Sequence, residues 1–273
     1  MKIQNTTDPQ LKPSLVMMCY GEGGVGKTTF GSTAPKPILL DFENGSKYFG
    51  LRGISLDVVN VQSWNEIENS KVEIANILKG NKYETIIVDP IGEAMDKLKR
   101  YMIETKQSKL VQSDGSPTMA GWGWMKKRMR EFVNWLRTSG KNVIIIAHLA
   151  EEKDEDRIVK RPKIETKLSD DLVNMVDVVG YMTVINDNGA EKRVIIVDPS
   201  NDKYTAKDRT GQLGKIIEPD FAKIVDACNG TKTFAWSKTQ AKKEVVRPEQ
   251  LNQVNLEAIK VAKAKLAQAK SMK

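Results

Sequence analysis

Eight consecutive residues, Gly21-Glu22-Gly23-Gly24-Val25-Gly26-Lys27-Thr28, carry glycine, lysine and a hydroxyl at the spacing G-x-x-x-x-G-K-[ST]. Each fixed position has a chemical reason. Glycines let successive backbone N–H groups turn inward around phosphate oxygens, and a following helix start adds its partial positive charge. An ammonium from Lys27 reaches the β and γ oxygens, and the Thr28 hydroxyl is a ligand for Mg²⁺. The segment from Gly21 through Thr29 is therefore expected to hold ATP with Mg²⁺. Asp89 ends the run Thr85-Ile86-Ile87-Val88, where a carboxylate can orient the metal through water.

These groups need rigid elements to position them. The apolar run Leu15 to Tyr20 reads as a buried strand entering the glycine turn, with a helix starting near Lys27. Further strands are expected at Pro37 to Asp41, Leu56 to Val61, Thr85 to Val88 and Asn142 to Ala147. Their continuous apolarity means that both faces are covered, as helices on either side of a parallel sheet require. Ser63-Trp64-Asn65-Glu66 is a capping box for a helix lasting to about Leu78. Glu151 to Lys167 is charged, contains Pro162 and has no sustained period, so it reads as a long loop. A helix from Leu168 to Met175 is expected to follow. Strands Val178 to Ile185 and Lys192 to Val197, joined through Asp187, Asn188 and Gly189, then form a hairpin at the sheet edge.

With 273 residues and 40% hydrophobic composition, the chain can bury one large core. The organisation expected is one domain over residues 1–230 and a basic tail over 231–273. Between Lys238 and Lys273 nine basic residues face three acidic ones, around one helix from about Pro248 to Ala269. Cys19 and Cys228 are too few for a disulfide framework, which suits a reducing cytoplasm. Met1 to Pro13 has no signal-peptide core and no apolar run approaches the length of a membrane span, so a soluble cytoplasmic protein is expected, with no membrane partner. A net charge of +8 suits a phosphate-rich partner.

Gly23-Gly24-Val25-Gly26-Lys27-Thr28-Thr29 also resembles the loop of partition ATPases of the ParA and MinD kind. Those carry a signature lysine before the glycine pair, where this chain has Glu22. The run Ile38-Leu39-Leu40-Asp41-Phe42-Glu43 resembles instead the RecA-type strand whose terminal glutamate activates the attacking water, a job a carboxylate does by accepting the proton. From about Leu15 to Gly214 the chain is similar to the phage-encoded RecA-like ATPases of the single-strand annealing and recombination group. The resemblance implies an α/β fold with a RecA-like P-loop NTPase core, a mostly parallel twisted sheet flanked by helices. It assigns Glu43 as catalytic base and His148 as a polar sensor between the γ-phosphate and a DNA-binding loop. Lys207-Asp208-Arg209 resembles the K-x-R finger that reaches a neighbour's γ-phosphate, and Tyr48 is placed to stack on adenine.

The same resemblance implies single-stranded DNA, a single-strand-binding protein and a homo-oligomer, ring or filament, as partners. Arg157, Lys160, Arg161, Lys163 and Lys167, in the stretch after His148, could contact DNA phosphates, with binding steeply dependent on salt. Lys126, Lys127, Arg128 and Arg130 lie near Trp122 and Trp124, but Met125, Met129, Phe132 and Leu136 follow core spacing, so packing is expected for the tryptophans. The function expected is ATP-dependent DNA annealing or strand exchange. The alternatives are an ATP-regulated loader for a helicase or single-strand-binding protein, or a partition-type ATPase.

Overall fold

Apolar residues on alternate positions of the central strands divide between two faces. In the computed structural model, which describes residues 13–105, 109–154, 157–187, 189–200 and 202–230, each face is covered by helices. The chain order is β1 (Val16–Gly21), α1 (Lys27–Ser32), β2 (Pro37–Asp41), β3 (Asp57–Asn60), α2 (Trp64–Asn69), α3 (Lys71–Lys79), β4 (Thr85–Asp89) and α4 (Ile91–Glu104). It continues with α5 (Met119–Arg137), β5 (Asn142–Asp154), β6 (Arg157–Pro162), α6 (Thr166–Met175), β7 (Val178–Asp187), β8 (Ala190–Ile196), β9 (Lys207–Asp208), β10 (Ile216–Ile217) and α7 (Phe221–Cys228). Short 3-10 turns occupy Gly45–Tyr48 and Gly50–Arg52.

The sheet order is β10-β8-β7-β1-β5-β4-β2-β3. From β7 to β3 every pairing along this path is parallel, whereas β8 and β10 are antiparallel additions at one edge. On one face Met18, Tyr20, Leu40, Val88 and Ile145 pack against α2 and α4 to α6; on the other Met17, Cys19, Leu39, Ile87 and Ile144 pack against α1 and α7. Each such aliphatic side chain stabilises the fold by roughly 1.5–3 kcal/mol over its exposed state. The fold is therefore the expected α/β class, with a mostly parallel sheet and a β7–β8 hairpin at its edge.

Three local expectations need correction. Glu151 to Lys167 is not a long loop: β5 runs on past the sheet and pairs antiparallel with β6, from Leu149↔Pro162 to Asp154↔Arg157. Charges hide the strand because charged residues alternate with half-buried ones along the hairpin, Glu151, Lys153 and Arg157 being exposed, and Pro162 interrupts nothing because it sits at the end of β6. The helix after Ser63 is broken at Ser70 into α2 and α3, and Glu66 reaches back to the amide of Gln62 at 3.1 Å rather than to that of Ser63. β5 itself is longer than the expected Asn142 to Ala147 because cross-strand pairing with β6 extends it. The basic tail from residue 231 and its helix lie outside the described residues. No helix among the described residues is long and apolar enough to cross a membrane.

Candidate active site

The phosphate loop leaves β1 at Gly21, whose register partners are His148 on β5 and Met182 on β7. A side chain at Gly21 would stand 2.4 Å from the carbonyl oxygen of Met182, so only glycine lets β7 pass this close. Gly24 and Gly26 adopt φ of +76° and +104°, the left-handed conformations that turn the loop back into α1. Lys27 is buried, and its ammonium donates to the carbonyls of Gly21 at 2.9 Å and Glu22 at 2.6 Å. Burial lowers its pKa, while the carboxylates of Asp89, Glu43 and Glu22 pull the other way.

Asp41 and Asp89 are register partners at the ends of β2 and β4, so two buried carboxylates stand side by side. They do different work. Asp41 accepts hydrogen bonds from the amides of Glu43, Gly45 and Ser46 at 3.2, 3.2 and 3.0 Å and from the Ser46 hydroxyl at 2.6 Å, which fixes the turn that carries Glu43. Asp89 accepts from the Thr28 hydroxyl at 2.5 Å. Burial pushes its carboxyl up to about 6, with the Thr28 bond opposing and the Glu43 and Asp41 charges adding to the rise.

His148 closes the site. Its Nε2 lies 3.3 Å from Oε2 of Glu43, a hydrogen bond when that nitrogen carries the proton. Its carbonyl accepts from the amide of Lys163 at 2.8 Å, at the base of the β5–β6 hairpin. A cavity of about 400 Å³ opens over the loop, lined among others by Lys27, Thr28, Glu43, Asp89, His148 and Arg193.

The donors fit a magnesium-bound nucleotide. A cavity opens over the loop, the Lys27 ammonium is buried beside it, and Thr28 and Asp89 are already joined. Among the described residues no cluster of three His, Cys, Asp or Glu side chains could hold a metal unaided, and a Mg²⁺ held here would draw its remaining ligands from phosphate and water. Thr28 and Asp89 would hold it, and when bound it would supply charge neutralisation for the phosphates. The protein's own groups would then act around it: Lys27 on the phosphate oxygens, Glu43 on the proton of a water, and His148 on the orientation of Glu43.

Sequence reasoning brought Gly21 to Thr29, Glu43, Asp89 and His148 to one end of the sheet, and the structure assembles them there. Tyr48 is elsewhere: it is 59% exposed beneath the ammonium of Lys47 and outside the cavity, whose wall is instead formed by its neighbour Phe49 and by Arg52. Lys207 and Arg209 lie at the opposite end of the parallel strands, where β9 pairs with Val178 and Val179. The Lys207 ammonium donates to the carbonyls of Val173, Asn174 and Val176 and so caps the end of α6. Arg209 contacts Asp177 at 3.4 Å and the carbonyl of Asn174 at 3.1 Å.

Of the basic residues after His148, Arg157, Lys160 and Arg161 ride on β6 and are paired, Arg157 with Asp202, Lys160 with Glu151, and Arg161 with Glu152 and Asp170, whereas Lys163 follows β6 and Lys167 lies on α6. Lys163 and Lys167 are exposed and make no ion pair among the described residues. Trp124 packs on the core under the Arg128 guanidinium, as expected, but Trp122 does not: it is 41% exposed, on the outward side of α5. Missed from sequence were Asp41 as organiser of the Glu43 turn, and the lining residues Phe49, Arg52, Arg193 and Pro219. Asp41 had a signal, an acid two residues before Glu43; Arg193 had none, since only strand order brings β8 to the loop.

The chain is 27% identical over 170 residues to the SPbeta prophage-derived uncharacterized protein YorG of Bacillus subtilis (strain 168), covering 62% of this chain and 50% of that protein. The chain thus spans about half the length of that relative. A KaiC-like protein of Pyrococcus horikoshii OT3 aligns at 14% identity with a TM-score of 0.36, over 67% of this chain and 77% of that one, too distant a likeness to carry an argument. Residues 14–210 match the AAA domain family across most of the described fold. With its phosphate loop, joined Thr28 and Asp89, and this match, the chain belongs to the AAA domain family, and its core is a P-loop ATPase domain.

Proposed function

We propose that this chain is a phage-type RecA-like ATPase that uses Mg·ATP to act on single-stranded DNA in annealing or strand exchange. One observation carries the reading: His148 touches Glu43 with its ring and Lys163 with its carbonyl, so one residue joins the nucleotide cavity to the base of a charged hairpin, where the exposed Lys163 stands. Loss of the γ-phosphate would change what Glu43 and His148 contact, and the hairpin is the element that would feel it. Lys163 and Lys167 offer charges for a phosphate backbone, which favours binding that is sequence-tolerant and salt-sensitive. The prophage-derived relative supports a phage setting. A homo-oligomer, in which Arg209 reaches a neighbour's nucleotide, and co-operation with a single-strand-binding protein belong to the same reading.

The test is ATP turnover of the full chain with and without single-stranded DNA at low salt, beside Lys27→Ala. The reading expects DNA to raise turnover several-fold and Lys27→Ala to abolish it. Turnover indifferent to DNA, with no DNA binding at low salt, would favour an ATP-regulated loader for a helicase or single-strand-binding protein. Preference for duplex over single strands would favour a partition-type ATPase, which Glu22 in place of the signature lysine argues against.

A further inference from the structure

Arg193 sits on β8, opposite Val184 of β7, at the end of the sheet where the phosphate loop lies. Its Nε donates to the carbonyl of Val25 at 3.1 Å, at the apex of the loop. A side chain at Gly26 would meet Nε and Cδ of Arg193 at 3.5 and 3.6 Å, so the guanidinium lies directly against the loop. Arg193 is an exposed residue whose Nε bond to the loop is part-buried, and it lines the same cavity as Lys27, Thr28 and Asp89. Its terminal nitrogens make no hydrogen bond, and the group no ion pair, among the described residues.

This guanidinium has one nitrogen committed to the loop and two left to face the cavity that the loop encloses. The Nε bond fixes the plane of the group, and a planar fork so held presents its remaining N–H groups as a pair suited to phosphate oxygens. Lys27 is the other cation on the loop, and its ammonium donates to the carbonyls of Gly21 and Glu22. We propose that Arg193 is a phosphate ligand supplied in cis, closing on the nucleotide's phosphate chain from the β8 side of the loop. This rests on the reading that the loop binds a magnesium nucleotide. Each protomer would then bring its own arginine to the phosphates, in contrast to Arg209, which is bonded at the far end of the same strands.

Two substitutions separate charge from bracing. Arg193→Gln keeps an amide donor for the Val25 carbonyl and removes the charge; Arg193→Lys keeps a charge and loses the fork. Calorimetric titration of the full chain with Mg·ADP should show affinity reduced about 10- to 100-fold in Arg193→Gln, the loss expected of a charge-assisted hydrogen bond. Arg193→Lys should recover part of that loss, and nucleotide-free melting of Arg193→Gln should match the parent. Parental affinity in Arg193→Gln would overturn the proposal. So would equal losses in both variants accompanied by lowered melting, which would make Arg193 a brace for the loop. A parent chain that fails to bind Mg·ADP would remove the underlying functional reading as well, and so is distinguishable from failure of Arg193 alone.

Discussion

The Nε2 of His148 and a carboxylate oxygen of Glu43 stand 3.3 Å apart although 105 residues separate them in sequence. The pair forms because β2 and β5 both deliver their ends to the same edge of the sheet, on either side of β4. Glu43 is held from behind by the Asp41 turn and met in front by an imidazole whose own backbone belongs to the hairpin strand.

Glu43→Gln should bind Mg·ATP within a few-fold of the parent and lose about 10²- to 10⁴-fold in turnover, the range for a general base. His148→Ala should lose less, and the double variant should be no worse than Glu43→Gln alone if the two act as a unit. Single-turnover rates check this; equal hydrolysis by Glu43→Gln and the parent removes Glu43 from the mechanism.

Asp89 gives a pH signature. Its carboxyl titrates near 6 in the fold against 3.8 in the free side chain, because burial disfavours its charge. The folded chain therefore takes up this proton at higher pH than the unfolded chain, and the group's contribution to stability falls as pH rises from about 4 to 6. Asp89→Asn should melt higher than the parent above pH 7, by on the order of 2–3 kcal/mol, and the gap should close towards pH 4. Melting of both proteins without nucleotide across that range decides it, with loss of Mg-dependent hydrolysis as the companion result.

Gly21→Ala should cripple the fold and Gly23→Ala should not. The first would push Cβ to 2.4 Å from the Met182 carbonyl oxygen, on a backbone that cannot retreat without breaking the β1–β7 pairing, whereas the second meets no atom within 4 Å. Soluble yield and melting temperature distinguish them.

Lys207→Ala should cost about 1–3 kcal/mol, because carbonyls at the end of α6 lose their donor. Arg209→Ala should cost less than about 1 kcal/mol, since its ion pair with Asp177 is half-exposed. Denaturant melts measure both. Mixing Arg209→Ala with Lys27→Ala protomers should restore part of the turnover if Arg209 serves a neighbour; no restoration counts against that role.

By itself the sequence determined whatever chemistry lies within a few consecutive residues. The phosphate loop, the buried strands and Asp89 at a strand end were legible because glycine freedom, apolar runs and motif spacing are local properties. Tertiary structure decided which distant groups meet. The Glu43–His148 pair follows from strand order, the placing of Arg193 on the loop from an antiparallel strand two places from β1, and the assignment of Phe49 rather than Tyr48 to the cavity wall from the pitch of a 3-10 turn. Charge concealed the β5–β6 hairpin, since its strands carry charged residues at half-buried as well as exposed positions and so show no apolar face to be read. Lys207 resembled part of a finger for a neighbour's γ-phosphate, and a run of sequence does not show which helix end its ammonium will reach; only the packing of β9 against β7, beside the last turn of α6, put three carbonyl oxygens within its range.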